Sequence, residues 1–379
     1  MTPTLVTSVY VHAPFCVRRC FYCDFAVQVR KQGDPGEWLA ALSGEVAALD
    51  AEGLFSLAPS LRTLYVGGGT PSLLGPDAMS GLGKVIGTDR LGDPELEWTA
   101  EANPESLTPQ VAEAWRRAGV NRISLGVQTF HEPALRWMGR VHGPEGARRA
   151  VAVARAAGFE NLSVDLIFGL PGHVGRSWRH DLEEALALDP PHVSLYGLSV
   201  EEGTPLGRAV GEGRERPVDE DRYGDEFLEA AEVLGGAGYL HYEVSNFARA
   251  GFQSRHNAVY WSGAPYLGLG NGAHSFAPPV RRWNLREWDA YSAAAAEGSG
   301  TEAGREILGP PEARMERIWL GLRTSEGLAR EELSAAGLGL AEAWEARGWA
   351  RLDDGRVSLT PVGWLLLDRL TVELDQAGA

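Results

Sequence analysis

Short apolar runs rich in β-branched residues alternate with longer amphipathic stretches over about the first 200 residues. The apolar runs predict six strands, at residues 8–12, 63–67, 97–101, 122–128, 161–168 and 192–199. The amphipathic stretches predict helices between them, among these 37–49, 109–118, 144–157 and 177–188. Strands that alternate with helices indicate βαβ units and a parallel sheet. Six units predict an α/β fold with a partial (β/α)6 barrel, and a doubly wound sheet is the alternative.

The apolar pattern loosens after residue 199 and predicts a loop at 205–217, a helix at 219–234, an aperiodic stretch at 235–276 and a linker at 294–311. The remaining residues predict helices from 312, at 330–336, at 340–347 and at 361–374, with a hairpin at 350–359. We therefore predict three units: a partial barrel over 1–205, a barrel-closing region over 206–296 and a winged-helix-like α+β domain over 312–379.

The charge of the chain narrows the choice of partners. There are 35 basic and 51 acidic residues, for a net charge of −16 and an isoelectric point near 5.1. Residues 312–379 carry 8 basic and 12 acidic residues, and so lack the basic face that DNA binding requires. We expect no nucleic acid partner and no anionic membrane surface. No targeting segment and no apolar run of about 18 residues is visible, so we expect a cytoplasmic protein without a membrane-spanning segment.

The three cysteines are the most informative residues in the sequence. Cys16, Cys20 and Cys23 lie within eight residues, in C-x3-C-x2-C spacing, directly after the first predicted strand. An odd number this close together is not a disulfide framework and indicates a reducing compartment. Thiolates favour iron–sulfur clusters or zinc. Because an ordinary four-iron cluster uses four cysteines, three would leave one iron open to a small chelating ligand. The alternatives are a zinc site completed by His12 or another histidine, and three unrelated thiols.

This spacing, with an aromatic residue (Tyr22) before the last cysteine, resembles the signature of the radical S-adenosylmethionine (SAM) superfamily. The resemblance implies that Cys16, Cys20 and Cys23 hold a [4Fe–4S] cluster. It also implies that the amino and carboxylate groups of SAM chelate the fourth iron. The superfamily fold is a partial β/α barrel, which agrees with the strand count above.

The same resemblance assigns a SAM pocket to the carboxyl ends of the strands, where barrels bind their ligands. The sequence Gly67-Gly68-Gly69-Thr70-Pro71 resembles the family segment that contacts the SAM amino group. The other expected SAM-binding residues are Tyr10, Tyr22, Glu101, Gln128, Arg140 and Asp165. Arg140 would pair with the SAM carboxylate, for which a bidentate guanidinium is suited. Taken singly, each polar strand residue could be a satisfied residue of the barrel interior, and Arg140 a surface charge.

Further segments, 121–128, 165–171 and 242–247, extend the resemblance over roughly residues 5–370. They resemble the branch that contains oxygen-independent coproporphyrinogen III oxidase and the heme chaperone family HemW. Phe25 stands where the oxidase has a fourth cysteine, and nine residues precede Tyr10 where the oxidase has a long extension. Residues 256–261 (HNAVYW) fit the H-N-x-x-Y-W motif of the chaperone family. We therefore expect a heme carrier rather than an active oxidase.

The chaperone resemblance implies heme as a further ligand and apo-hemoproteins, such as respiratory membrane enzymes, as partners. His256, in the 206–296 region, is the candidate ligand of the heme iron, because histidine is a standard axial ligand and aromatic residues flank it. The alternative is a structural histidine–aromatic cluster that closes the barrel, and His241 and His274 are rival ligands. Competing functions are oxidative decarboxylation of coproporphyrinogen, a heme-degrading radical SAM methyltransferase and a heme-sensing winged-helix regulator. The role of SAM cleavage in a carrier stays open.

Overall fold

A computed structural model describes the backbone of residues 2–378 and the side chains of residues 2–49 and 52–378. Within this range the main sheet has nine strands, which we label β1 to β9. They are Ser8–Ala13, Thr63–Gly68, Glu97–Ala102, Arg122–Gln128, Asn161–Phe168, His192–Gly197, Leu240–Glu243, Asn246–Ala248 and Leu267–Leu269. Strands β1 to β6 are parallel neighbours in chain order. The predicted partial barrel is confirmed, with strand limits within two residues of those expected.

The helices α1 to α14 cover much of the remaining chain. They are Pro35–Glu52, Ala78–Ile86, Pro109–Ala118, Glu132–Met138, Gly143–Ala156, Trp178–Ala187, Pro205–Gly211, Glu220–Gly236, Arg255–Trp261, Trp288–Glu297, Pro310–Leu322, Ala335–Ala346, Pro361–Trp364 and Leu367–Gln376. None of the helices in the described part of the chain is long and apolar enough to cross a bilayer.

Local sequence explains why these helices begin and end where they do. In α3, Pro109 occupies the first turn and the Thr108 hydroxyl accepts a hydrogen bond from the Val111 amide, so that a free helix-end donor is satisfied. The helix ends at Gly119, whose φ of 112° is the left-handed conformation that glycine adopts at low cost.

The alternation of side chains along each strand separates the core from the site. Leu64 and Val66 of β2 and Ile123 and Leu125 of β4 are fully buried against the surrounding helices. Successive strand residues point to opposite faces. The intervening residues, such as Tyr65, are therefore directed to the barrel interior, which is polar.

Short elements complete the sheet edges. Strands β7 and β8 form an antiparallel pair that joins the β6 edge, and β9 pairs in parallel with β1 at the other edge. Small sheets pair Thr4–Val6 with Phe55–Leu57, and Phe15–Cys16 with Gln28–Val29. A three-stranded antiparallel sheet is formed by His274–Ala277, Val280–Asn284 and Glu302–Ile307.

Three expectations for the second half of the chain are corrected. The predicted loop at 205–217 begins with α7, because the Thr204 hydroxyl accepts from the Gly207 amide and Pro205 fits the first turn. The aperiodic stretch 235–276 contains β7, β8, β9 and α9. The predicted linker 294–311 instead contains the end of α10, the strand Glu302–Ile307 and the start of α11. Thr301 in this segment is buried and its hydroxyl donates to Glu45 at 3.3 Å.

The C-terminal part has the predicted helices and hairpin in slightly different form. The expected helices at 330–336 and 340–347 are a single 3-10 turn, Arg330–Glu332, followed by the continuous α12. The strands Leu328–Ala329, Arg356–Leu359 and Ala350–Arg351 make a small antiparallel sheet beside them. Trp364 Nε1 donates to the Leu322 carbonyl at 2.9 Å and joins α13 to α11. The limits of the three predicted units stay predictions.

Candidate functional site

The cysteine loop follows β1 and lies over the carboxyl ends of the barrel strands. Cys16, Cys20 and Cys23 are all partly exposed and line one cavity of about 480 Å³. The same cavity is lined by most of the residues expected to contact SAM: Tyr22, Gly68, Gly69, Thr70, Glu101, Gln128, Arg140 and Asp165. Parallel strands end at the same edge of a sheet, so residues far apart in sequence meet here. Tyr10 lies outside this cavity.

Burial disfavours the thiolate form of two of the three cysteines. Burial raises the pKa of Cys16 to about 12 and also raises the pKa of Cys23. A metal or cluster would therefore have to displace protons from both thiols. Among the described side chains, those of residues 2–49 and 52–378, no three from histidine, cysteine, aspartate or glutamate are grouped closely enough to hold a single metal ion.

The segment after β2 brings backbone close to the cavity. Gly68 has a φ of 102°, and a Cβ at this position would lie only 2.3 Å from the His12 ring. Only glycine therefore fits between His12 and the cavity. The Gly68 amide donates to Glu101 Oε2 at 3.0 Å, and the Tyr65 hydroxyl donates to Glu101 Oε1 at 2.7 Å. Burial raises the pKa of Glu101 to about 7, so this carboxyl is poised between its two protonation states at neutral pH.

Arg140 belongs to a hydrogen-bonded chain that joins two of the cysteines. Its Nη2 donates to Asn103 Oδ1 and to the Gly126 carbonyl, both at 2.6 Å. Its Nη1 lies 3.9 Å from Cys20 Sγ. The surface-charge alternative for Arg140 is therefore wrong. The buried Arg140 Nε has no hydrogen-bond partner among the described residues, which leaves one donor available to a ligand.

Asn103 is a site residue that the sequence interpretation missed. Its Nδ2 donates to Thr70 Oγ1 at 3.0 Å, and the Thr70 hydroxyl and Cys16 thiol are hydrogen-bonded at 3.4 Å. Asn103 thus connects the Arg140 side to the Cys16 side of the cavity. The motif Glu-Ala-Asn-Pro was visible in the sequence, but only its glutamate stood out as a potential ligand.

Gln128 and Asp165 both line the cavity, but Gln128 has an unusual backbone conformation and Asp165 is held by hydrogen bonds. Gln128 has a φ of 69°, which is uncommon for a residue other than glycine and costs of order 1–3 kcal/mol. The strand pairing is irregular at this point. Asp165 accepts hydrogen bonds from the hydroxyls of Ser124 and Ser163, and burial raises its pKa. Asp165 therefore also fits the alternative of a satisfied interior carboxyl.

A second cavity of about 350 Å³ adjoins the first. Phe25, Gly68, Glu101 and Asp24 line both cavities. The second cavity is otherwise lined by Tyr10, His12, Ala26, Tyr260, Tyr266, Gly272, Ala273, His274 and Arg286. The Tyr10 hydroxyl is hydrogen-bonded to His12 Nδ1 at 3.0 Å, and its ring stacks on Tyr65. Tyr10 is therefore near the predicted SAM pocket but faces the neighbouring cavity.

His256 lies below both cavities, in the barrel interior, and is 1% exposed. Its Nδ1 is hydrogen-bonded to Thr63 Oγ1 at 2.8 Å and its Nε2 to the Tyr260 hydroxyl at 2.9 Å. Its ring stacks on Tyr65. Both ring nitrogens are engaged and the ring lines neither cavity. These contacts favour the structural histidine–aromatic cluster, and the role of His256 as a heme ligand stays a prediction.

The rest of the H-N-x-x-Y-W motif has a structural role as well. His256 and Tyr260 are one helical turn apart in α9, so the histidine fixes the hydroxyl of a residue that lines the second cavity. Trp261 lies under the Arg323 guanidinium, whose Cζ is 4.2 Å from the ring centroid. Arg323 directly follows α11. The motif therefore joins the barrel, the second cavity and the C-terminal part.

Comparison with known proteins identifies the family of this chain. A family profile described as the radical SAM superfamily matches residues 10–185. The chain is 38% identical to the heme chaperone HemW of Mycobacterium tuberculosis, over 95% of this chain and 93% of that relative. It is 34% identical to the heme chaperone HemW of Bacillus subtilis, over 86% of each chain. The chain belongs to the HemW family.

Solved structures agree on the architecture of this HemW-family chain. Coproporphyrinogen III oxidase (HemN) of Escherichia coli matches with a TM-score of 0.80 at 23% identity, over 99% of this chain and 90% of that one. At that identity the likeness shows the radical SAM fold alone. The superfamily implies a [4Fe–4S] cluster and SAM as cofactors. The residues present fit them, because three thiols line one cavity together with an unpartnered Arg140 Nε.

Proposed function

We propose that this protein is a heme carrier that binds heme next to a [4Fe–4S] cluster and SAM and passes it to apo-hemoproteins such as respiratory enzymes. The observation that carries the proposal is the pair of adjoining cavities, one lined by the three cysteines and the other by aromatic residues. Membership of the HemW family supports the same function. A cytoplasmic location is part of the proposal, since three free thiols suit a reducing compartment.

We assign the cavity residues as follows. Cys16, Cys20 and Cys23 hold the cluster, and Arg140 pairs with the SAM carboxylate through its free Nε. Glu101 and the backbone of Gly68 and Gly69 receive the SAM amino group. Tyr22, Thr70, Gln128 and Asp165 form the remaining walls, with Tyr10 beside them. A bound and reduced cluster, held by the three cysteines, would supply one electron for reductive cleavage of SAM, with methionine as the leaving group.

Phe25 favours a carrier over an oxidase. This residue is 60% exposed and lines both cavities. By the motif resemblance it stands where the oxidase has its fourth cysteine. An exposed aromatic ring between two cavities suits stacking on a flat apolar macrocycle. The acceptor proteins would be recognised through specific patches, because the net charge of −16 disfavours anionic surfaces.

The pKa of Glu101 predicts that SAM binding depends on pH. Its value of about 7 is raised by burial, so the carboxyl is largely protonated below that pH. An iron-bound amino group that donates an N–H to Glu101 would favour the carboxylate, and binding would then release a proton below pH 7. We expect SAM affinity to rise from about pH 5 to 7 and to level off above. Calorimetry on the reconstituted protein measures this. Glu101→Gln should bind more weakly with a flat profile, and a flat wild-type profile would contradict the assignment.

Heme binding and release test the carrier function directly. Anaerobic, cluster-reconstituted protein should develop a Soret band that saturates at stoichiometric heme. Mixing the heme-loaded protein with an apo-hemoprotein should then move the band to the acceptor. No Soret band at stoichiometric heme would remove the proposal. The oxidase alternative is checked by incubation with SAM, a reductant and coproporphyrinogen III. Product formation over many turnovers would show an oxidase and contradict the carrier function.

A further inference from the structure

The chain has nine histidines, and those inside the barrel are already engaged. Both ring nitrogens are hydrogen-bonded in His12, His192 and His256. The His241 ring packs on Phe247, with ring centroids 3.8 Å apart, and its Nε2 is hydrogen-bonded to a carbonyl. His241 Nδ1 is free but buried, and the His241 ring lines neither cavity. None of these four rings therefore presents a free nitrogen to a cavity.

His274 differs from these four histidines in its exposure and in its free ring nitrogens. It is exposed, begins the strand His274–Ala277 and lines the second cavity. Among the hydrogen bonds of residues 2–378, neither of its ring nitrogens has a partner. Its ring stacks on Trp283, its cross-strand partner, with centroids 5.9 Å apart and an interplanar angle of 28°. Partial burial lowers its pKa, which favours the neutral imidazole that binds a metal.

The walls of the second cavity suit a flat apolar ring. Tyr260 and Tyr266 meet edge to face with centroids 4.7 Å apart, and Tyr10 and the exposed Phe25 line other parts of the cavity. Its volume of about 350 Å³ lies within the usual range for small-molecule sites. The exposure of His274 and Phe25 shows that the cavity is open, so a larger ring can extend beyond it.

Arg286 supplies a cation for the carboxylates of such a ligand. Its side chain is exposed, lines the cavity and contacts Asp24, with Nη2 2.8 Å from Oδ1. A guanidinium with one exposed ion pair retains donors for a second carboxylate. Arg286 and His274 both line the second cavity, which therefore has one partner for a carboxylate and one candidate ligand for iron.

We propose that His274, and not the histidine of the H-N-x-x-Y-W motif, ligates the heme iron, with Arg286 contacting a propionate. This assignment rests on the proposed heme-carrier function and deepens it. The macrocycle lies against Tyr260 and Tyr266, and Phe25 separates it from the cysteine cavity. His256 acts as a positioning residue, because it fixes the Tyr260 hydroxyl.

Heme titration of the reconstituted full chain tests this assignment. His274→Ala is expected to weaken heme binding by about tenfold or more and to remove the spectroscopic signature of an axial nitrogen. Added imidazole should restore that signature, which a merely structural role would not do. His180→Ala, at an exposed histidine of α6, is the matched control and should leave both unchanged. His256→Gln, which keeps a hydrogen-bonding side chain, should retain the axial signature.

The outcomes separate the ligand assignment from the carrier function. If the wild-type protein shows no Soret band, the heme-carrier function fails. If the wild-type protein binds heme and His274→Ala binds it with the same spectrum and affinity, the carrier function stands and the assignment of His274 is overturned. A folded His256→Gln variant without the axial signature would also overturn it, in favour of His256.

Discussion

Replacing Cys20 with serine is expected to abolish the iron–sulfur cluster and, with it, SAM binding. Cys16, Cys20 and Cys23 are the only cysteines of the chain, so no other thiol can take over the lost ligand. Cluster irons are held by thiolates, and a serine hydroxyl is a far harder and less acidic ligand. After anaerobic reconstitution we expect iron and sulfide content and visible absorption to fall to background. SAM binding, measured by calorimetry, should be lost in parallel.

A neighbouring substitution separates loss of a ligand from disturbance of the loop. Arg19 lies between two of the cysteines and its Nη2 donates to the Val27 carbonyl at 3.3 Å on the surface. Arg19→Ala therefore changes the same loop without removing a thiol, and its iron content should equal that of the wild-type protein. Full iron content in Cys20→Ser would show that Cys20 is not a ligand and would leave the zinc and unrelated-thiol alternatives open.

The barrel could be predicted from sequence because its signal is repeated. Each strand from β1 to β6 is six to eight residues long and is followed by a helix. Strands β7, β8 and β9 have only three or four residues, too few to show a period of two. They form because β6 and β1 offer free edges to pair with. Such tertiary pairing leaves no local pattern, and so residues 235–276 looked irregular.

The site, too, could be predicted only in part from the sequence. Glu101 and Gln128 could be placed in one cavity, because residues near the ends of parallel strands converge. The link from Thr70 through Asn103 to Arg140 depends on side-chain contacts across 33 and 37 residues, which spacing does not encode. A histidine beside aromatic residues is equally typical of a ligand site and of a core. The fully engaged ring of His256 could therefore be recognised only from its contacts.

A buried charge network is expected to give the largest effect on stability. Arg176 has a fully buried side chain, with Nη2 2.5 Å from Glu226 Oε2 and Nη1 3.4 Å from Asp181 Oδ2. Glu226 also accepts from the Gly169 amide at 2.8 Å, and Asp181 accepts from the Phe130 amide at 2.7 Å. These contacts tie α6 and α8 to the segments that follow β4 and β5, close to the cysteine cavity.

Arg176→Ala is expected to lower the free energy of unfolding by about 3–5 kcal/mol, because it leaves the buried Asp181 carboxylate without a cation and Glu226 with only Arg222, whose Nη2 is 3.0 Å from Oε1. Arg179 is the matched control. It is three residues away, but its ion pair with Glu229 is on the surface, so Arg179→Ala should cost under about 1 kcal/mol. Denaturant unfolding measures both changes. The loss in Arg176→Ala should shrink as pH falls from 7 towards 5, because burial raises the pKa of Asp181 and its protonation removes the charge left without a cation. Equal losses in the two variants would mean that the buried network adds nothing beyond a surface ion pair.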